Sequence, residues 1–409
     1  MRLFPLLIAF VLLLAQPLRA ATEIVEVTSP GGIKAWLVQE PSIPMLAINA
    51  HFQGGAVLDP EDKLGAANLM TALLEEGAGP YDSFGFTARA EELALRYGFS
   101  AGADGVSVTA EMLTEFREES VELLALAVNE PSFADEALER VRSQVLSSLH
   151  ADQTNPNWLA SRALNQTLYP DHPYARPVDG TIETVTGLTR QDLLDAHQRS
   201  FVLERLKVGA VGDITPEELG LMLDRLFGTL PQEGPDLPGF AQIPELGSLQ
   251  VIDFDSPQAV ARFGHSGLTR DHPDFLAAYV LNQVLGGGGY ASRLMEEIRV
   301  KRGLTYGIST WLGGGDFATL QAGAVSTANG KMAETLGLIR EEWERISTEG
   351  ITQEELDAAK RYLTGSYALR FDSNARIAGG LVGLQRERMP ITYPRQRNAL
   401  IRDLTLEEV

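Results

Sequence analysis

Phe133-Ala134-Asp135-Glu136-Ala137-Leu138 returns as Ile351-Thr352-Gln353-Glu354-Glu355-Leu356, 218 positions further along the chain. Each places an apolar residue and a short acidic run ahead of a long stretch with helical apolar spacing, the signature of a helix start. A second echo pairs Gly187-Leu188-Thr189 with Asp403-Leu404-Thr405, at a spacing of 216. Two near-equal spacings indicate a duplicated unit. A length of 409 residues suits two domains of roughly 200 each. The first unit continues more than forty residues past Thr189, whereas the second stops four after Thr405. The sequence is therefore expected to lack the last strand and helix of its second unit.

Between the echoes, the order of elements repeats. Ile33–Val38, Met45–Phe52 and Ser107–Ala110 read as strands, and so does Leu206–Val211. Ala66–Leu74, Phe86–Tyr97, Thr114–Val128 and Asp135–Ala151 read as helices. Thr215-Pro216-Glu217-Glu218 supplies an N-cap, a first-turn proline and an acid. In the second half, strands are expected over Leu249–Phe254, Ala259–Phe263 and Tyr306–Leu312, with helices over Asp274–Leu285 and Ser292–Arg299. The fold class that follows is α+β: two homologous domains, each a mostly antiparallel sheet with helices packed on one side. The expected boundaries are 21–232 and 246–409, joined by a linker at 233–245 in the Pro- and Gly-rich stretch Pro231–Pro244.

Met1–Ala20 stands apart. Arg2, an apolar run from Leu6 to Ala15 and a small residue at Ala20 give the layout of a secretory signal peptide, too short to cross a bilayer of roughly 20 residues comfortably. An uncleaved anchor is the alternative. Export to a periplasm is expected, with no membrane contact once the signal is removed. Apolar residues at 44% and charged residues at 22% fit a globular chain. A net charge of −21 disfavours nucleic acid as a partner. The absence of cysteine removes disulfides, thiol catalysis and thiolate metal sites.

No two of the six histidines share a helix at a spacing that clasps a metal ion. His51, on an apolar strand, reads as a hydrogen-bonded core residue, and His172, in Asp171-His172-Pro173, as a solvated loop residue. Gly286–Gly289 reads as a tight turn, with anion binding on its amides as the alternative. The segment Ser292–Tyr306 is richer. Gly303 should end a helix with Arg299 in its last turn, and Tyr306 should begin the following strand. Chain reversal there can bring a guanidinium and a phenol to one surface, as donors to a peptide carbonyl or an oxyanion. The other reading is an arginine compensating the helix C-terminus beside a half-buried tyrosine.

This segment, with the repeat, resembles the pitrilysin/insulinase family of zinc peptidases, which includes the mitochondrial processing peptidase and the respiratory-chain core proteins. Asp59–Ala67 is similar to the family's approach to its metal helix, Asn129–Phe133 to a later Asn-Pro-x-Phe segment, and Leu206–Thr215 to the strand and turn closing each domain. The resemblance implies His-x-x-Glu-His on a helix, with a glutamate further along as third ligand. The matching positions here are Asn68, Thr71 and Ala72, with Ser148 at the third ligand and Val141 at a supporting acid. No metal and no cofactor are therefore expected in this chain.

The family's other half carries an Arg/Tyr pair that contacts substrate, matched by Arg299 and Tyr306. In heterodimeric members one chain holds zinc and the other this pair. The resemblance thus implies the non-zinc subunit of an exported heterodimeric peptidase, inactive alone. Its partner would be a homologous His-x-x-Glu-His chain holding the zinc, and its substrate an unfolded peptide. The competing expectation is a non-catalytic scaffold or peptide-binding homologue.

Overall fold

The computed structural model describes residues 23–244 and 247–409, so the export segment read at Met1–Ala20 lies outside the described residues. The first half opens with strands β1 (Ile24–Thr28), β2 (Lys34–Gln39) and β3 (Met45–Gln53), then helix α1 (Ala66–Leu73). A minimal hairpin of β4 (Gly77–Ala78) and β5 (Tyr81–Asp82) leads into α2 (Ser83–Glu92), β6 (Arg96–Ala101) and β7 (Gly105–Leu113). Helices α3 (Arg117–Asn129), α4 (Asp135–Asp152), α5 (Pro156–Leu168), α6 (Ile182–Gly187) and α7 (Arg190–Ser200) precede β8 (Leu206–Gly212) and α8 (Pro216–Phe227).

The six-stranded sheet has the order β1-β2-β8-β3-β7-β6, with β2 and β8 parallel and every other pair antiparallel. Strand periodicity sorts its faces. Leu46, Ile48, Ala50 and Phe52 of β3 enter the main core with Leu69, Met70 and Leu73 of α1. His51 points the other way, is 5% exposed, and has its Nδ1 3.0 Å from Ser107 Oγ, so it is a hydrogen-bonded buried residue. Burial lowers its pKa to about 4.

The second half holds β9 (Gln258–Ser266), α9 (Phe275–Asn282), β10 (Ile308–Gly313), β11 (Leu320–Ala328), α10 (Met332–Glu349), α11 (Gln353–Gly365), α12 (Asn374–Arg386) and α13 (Tyr393–Asp403). Its sheet, β10-β11-β9, repeats β6-β7-β3. The echoes hold in detail. Helices α4 and α11 start 218 residues apart, as do α5 and α12. Thr189 donates its backbone N–H to Asp192 at 2.7 Å, and Thr405 donates to Glu408 at the same distance. The chain is α+β in two similar units.

Three local expectations fail. Leu249–Phe254 forms no strand. Its counterpart β2 lies between β1 and β8, and among the described residues the second sheet has neither, so Leu249 and Val251 stay exposed. The helix expected over Phe86–Tyr97 ends at Glu92, where Ala94 takes a positive φ of 49°, and Tyr97 sits in β6 opposite Ala110. Cross-strand pairing overrides helical periodicity there. The strand expected from Tyr306 begins at Ile308.

Each half lends a helix to the other. Helix α12 lies across β8 and β3 of the first sheet, on the face away from the main core. Ala378 and Leu381 pack there on Trp36, Val38 and Val211, and Gln385 donates to Val208 O at 2.8 Å. Its counterpart α5 packs on β9, where Arg262 donates to Asn157 Oδ1 at 3.2 Å. Along the seam, Tyr174, Leu168 and Val57 meet Phe317, Ala318 and Ala241, the last of which lies in the Pro231–Pro244 stretch. His172 belongs to this seam and is only partly solvated: its Nε2 lies 3.0 Å from Gly239 O and its ring packs on Tyr174.

Asp104 and Asp316, in the equivalent β6–β7 and β10–β11 turns, converge on Arg386 at the end of α12, at 3.4 and 2.9 Å. Tyr174 donates its hydroxyl to Asp104 and accepts from Phe317 N at 3.0 Å. Burial pushes the Asp104 carboxyl above its ordinary range.

The approach of α12 depends on Gly209, where a Cβ would stand 2.3 Å from Ala378 O. Gly209→Ala should lower the unfolding free energy by about 1–3 kcal/mol. Gly330→Ala, at a position open to solvent, should change it by less than about 0.5 kcal/mol. Urea denaturation of both variants reads the difference.

Candidate functional site

Helix α1 is the helix that matched the metal motif. Its N-cap, Gly65, has a φ of 89°, and a Cβ there would stand 2.7 Å from Asp179 O. Asp59 reaches back to this end, accepting from Gly65 N at 3.1 Å and Ala67 N at 3.2 Å, with an Arg199 guanidinium nitrogen 3.6 Å away. A carboxylate here satisfies orphan amides and the positive end of the helix. At 3% exposure it is also desolvated, and burial pushes its pKa up to about 6 against the lowering effect of those partners.

The side chains that α1 presents do not fit a zinc ion. Thr71 donates its hydroxyl to Asn68 O at 2.9 Å, within its own helix, and is 2% exposed. Ala72 packs against the core and has no donor atom. Asn68 is half-buried. On α4, Ser148 is exposed to solvent and Val141 is a core residue. Among the described residues, no three His, Asp or Glu side chains converge as a ligand set. The side chains at these positions supply none of the imidazole or carboxylate groups that a water-activating zinc site uses.

The second candidate region is better equipped. Residues Met295–Val300 form a π-helical turn that ends at Gly303, whose φ is 62°. Gly303 N donates to Arg299 O at 2.9 Å and Leu304 N to Ile298 O at 3.0 Å. Strand β11 then grips the chain: Thr305, 7% exposed, donates its hydroxyl to Ser326 O at 2.6 Å, and Thr327 donates to Leu304 O. The backbone on the N-terminal side of Tyr306 is thus fixed while its side chain is 85% exposed. Tyr306 is not half-buried, unlike the tyrosine of the alternative reading, whereas Arg299 does stand in the last turn of its helix as that reading had it.

Arg299 and Tyr306 lie on the same helix-to-strand connection, but the aromatic partner of Arg299 is Tyr290, whose ring centroid is 4.5 Å from the guanidinium carbon. Sequence reasoning missed Tyr290, which stands nine positions before Arg299 across a separate short helix, Gly289–Ala291. A second π turn, Gln283–Gly287, precedes it, so the glycine stretch is partly helical. π turns concentrate at functional sites, and two of them framing one arginine would have marked the region had spacing shown them. Around this core, Glu297 accepts from Arg302 at 2.7 Å and from Lys301, which holds its carboxyl below the usual range. Arg293 makes a bidentate pair with Glu355, at 2.6 and 2.7 Å, on the first turn of α11.

Comparison with known proteins bears on both regions. The profile of the insulinase family (peptidase family M16) matches residues 35–182, and that of the peptidase M16 inactive domain matches 187–363. The chain is similar to a Helicobacter pylori protein named non-peptidase homolog YmxG, 29% identical over 80% of this chain and 76% of that one. It also resembles an uncharacterized zinc protease of Mycobacterium leprae, 26% identical over 85% of this chain and 79% of that one. The crystal structure of a peptidase M16 inactive domain from Pseudomonas fluorescens superposes with a TM-score of 0.88 at 30% identity, covering 94% of this chain and 93% of that one.

Asp59 gives the first region a measurable signature. Its folded pKa of about 6 lies above the ordinary 3.8, so the folded chain holds the proton more tightly than the unfolded one. That contribution to stability is complete below about pH 4 and is lost as the pH rises through about 6. Asp59→Asn has no such titration. Relative to wild type it should gain stability between about pH 4 and pH 7, by up to about 3 kcal/mol. Urea midpoints across that range measure the gain, and a flat difference would assign Asp59 an ordinary pKa.

Proposed function

This chain belongs to the insulinase family of peptidases (family M16), and from that premise we propose that it is a non-catalytic, peptide-binding member. One observation carries the reading. Helix α1 packs into the core while presenting Asn68, Thr71 and Ala72, and further along the chain Tyr306 is open to solvent on a fixed backbone with Arg299 half-buried seven positions before it. In this reading Arg299 and Tyr306 donate hydrogen bonds to the backbone carbonyls of an extended peptide. The signal-like layout of Met1–Ala20 supports a periplasmic location in this reading.

A second reading goes one step further. A surface suited to polarising a carbonyl has little use in a pure scaffold, and its exposure favours a role beside a homologous chain with His-x-x-Glu-His. That partner would hold zinc and activate water, while Arg299 and Tyr306 orient the shared substrate and stabilise its oxyanion.

The test uses purified chain, zinc and an unfolded reporter peptide, with cleavage followed by mass spectrometry and binding by fluorescence anisotropy. The chain alone should bind the peptide and leave it intact. Arg299→Ala and Tyr306→Phe should each weaken binding by roughly two- to tenfold, the loss of one hydrogen bond. Cleavage that appears only when a His-x-x-Glu-His homologue is added establishes the second reading. Zinc-dependent cleavage by this chain alone overturns both.

A further inference from the structure

We infer that the Arg299–Tyr290 stack is a carboxylate-receiving site, and that Tyr290 is its positioning residue. This rests on the peptide-binding reading above and specifies the peptide: one that presents a free carboxylate, at its C-terminus or on an acidic side chain.

The geometry favours an anion over a neutral carbonyl. Four basic side chains lie between Arg293 and Arg302. Three are neutralised within the chain: Arg293 by Glu355 at 2.6 Å, and Lys301 and Arg302 by Glu297. Among the described residues, Arg299 alone of the four has no carboxylate partner and donates no side-chain hydrogen bond. Its guanidinium instead lies against the Tyr290 ring. The guanidinium carbon lies over the ring at 4.5 Å, and among the described residues none of its N–H groups donates a hydrogen bond, so the fork that accepts a carboxylate through two parallel hydrogen bonds is unused. In a chain with 55 acidic residues against 34 basic ones, a guanidinium with no carboxylate partner among the described residues is set up for an external one.

Tyr290 has no other evident work. Its side chain is 69% exposed and it contributes to none of the hydrophobic clusters among the described residues. What it does is fix the arginine. A free arginine loses rotamer freedom on binding, and a stacked one has already lost part of it. The ring adds electrostatic attraction to the cation as well.

Two experiments on the whole chain test this. The first is NMR of the free protein, with no peptide. Ring current from Tyr290 should shift the Arg299 δ protons upfield in wild type and in Tyr290→Phe, and the shift should vanish in Tyr290→Leu. An unshifted Arg299 in wild type overturns the stack, independently of any binding.

The second is titration with an N-acetylated peptide in two forms, with a free C-terminus and C-amidated. The free carboxylate should bind about tenfold more tightly or better. Tyr290→Leu should lose about two- to fivefold of that affinity and Tyr290→Phe should keep it. Arg299→Lys, which keeps the charge without the fork, should lose most of the preference. An internal Gln→Glu change in the amidated peptide separates the two sources: recovery of binding assigns acidic side chains as ligands, and no recovery assigns the chain terminus alone. Equal binding of the free and amidated forms overturns this site and leaves the peptide-binding reading standing. Binding of neither form overturns both.

Discussion

The reciprocal loan of α5 and α12 is the constraint from which the rest of the molecule follows. A duplicated α+β unit could bury one face of each sheet under its own helices and leave the other face wet. Here α12 lies over β8 and β3 of the first sheet, and α5 over β9 of the second, so each half completes the other. The loan requires backbone contact at Gly209 and brings Arg386, at the end of α12, between the two turn carboxylates Asp104 and Asp316. One guanidinium between two partly buried acids is a charge excess. It is offset by donors from both halves: the Tyr174 hydroxyl, Gln53 Nε2 at 2.9 Å and the Asp316 amide at 3.2 Å. The Pro231–Pro244 stretch is tied into the same seam through Ala241 N, which donates to Phe317 O at 2.7 Å.

Much of this architecture was legible because duplication turns a sequence into its own comparison. The 218-residue spacing identified α4 and α11 before any coordinate, and the Thr189 and Thr405 echo proved to be the same capping geometry. What escaped were features with no local pattern. The swap of α5 and α12 is invisible because an amphipathic helix does not state which sheet it covers. Leu249–Phe254 has strand composition and no strand, because a strand needs neighbours. Tyr97 obeys a helical period and pairs with Ala110 because β7 offers it an edge. His172 looked like a loop residue and is held by Gly239, 67 positions away.

The candidate sites divide in the same way. The residue types Asn68, Thr71, Ala72 and Ser148, none of which is a usual zinc ligand, are legible in the sequence. What those positions contribute to the fold is visible only in space. Leu69, Met70 and Leu73 carry the packing of α1, and Asp59 carries its N-terminus. Positions 68 and 72 are only partly buried, and Ser148 faces solvent. The fold therefore does not require ligands at these positions, and their chemistry can be removed without disturbing the helix. Arg299 and Tyr306 are candidates through the family resemblance, whereas the ring beside Arg299 belongs to another turn and carries no spacing signal.

A net charge of −21 opposes the approach of acidic groups, and the length scale of screening limits that opposition. At physiological salt, exposed charges beyond about 8 Å are largely screened, so the distant acids of this chain contribute little at Arg299. The near ones decide. Glu297 is already occupied by Lys301 and Arg302, and Glu355 by Arg293, which leaves Glu296 as the exposed acid closest to Arg299 in sequence. With the distant charges screened, no long-range field steers an anionic peptide here, so selectivity at this surface comes from contact: a guanidinium that lies over a tyrosine ring and has no carboxylate partner among the described residues. Such a site discriminates through how long a ligand stays more than through how fast it arrives.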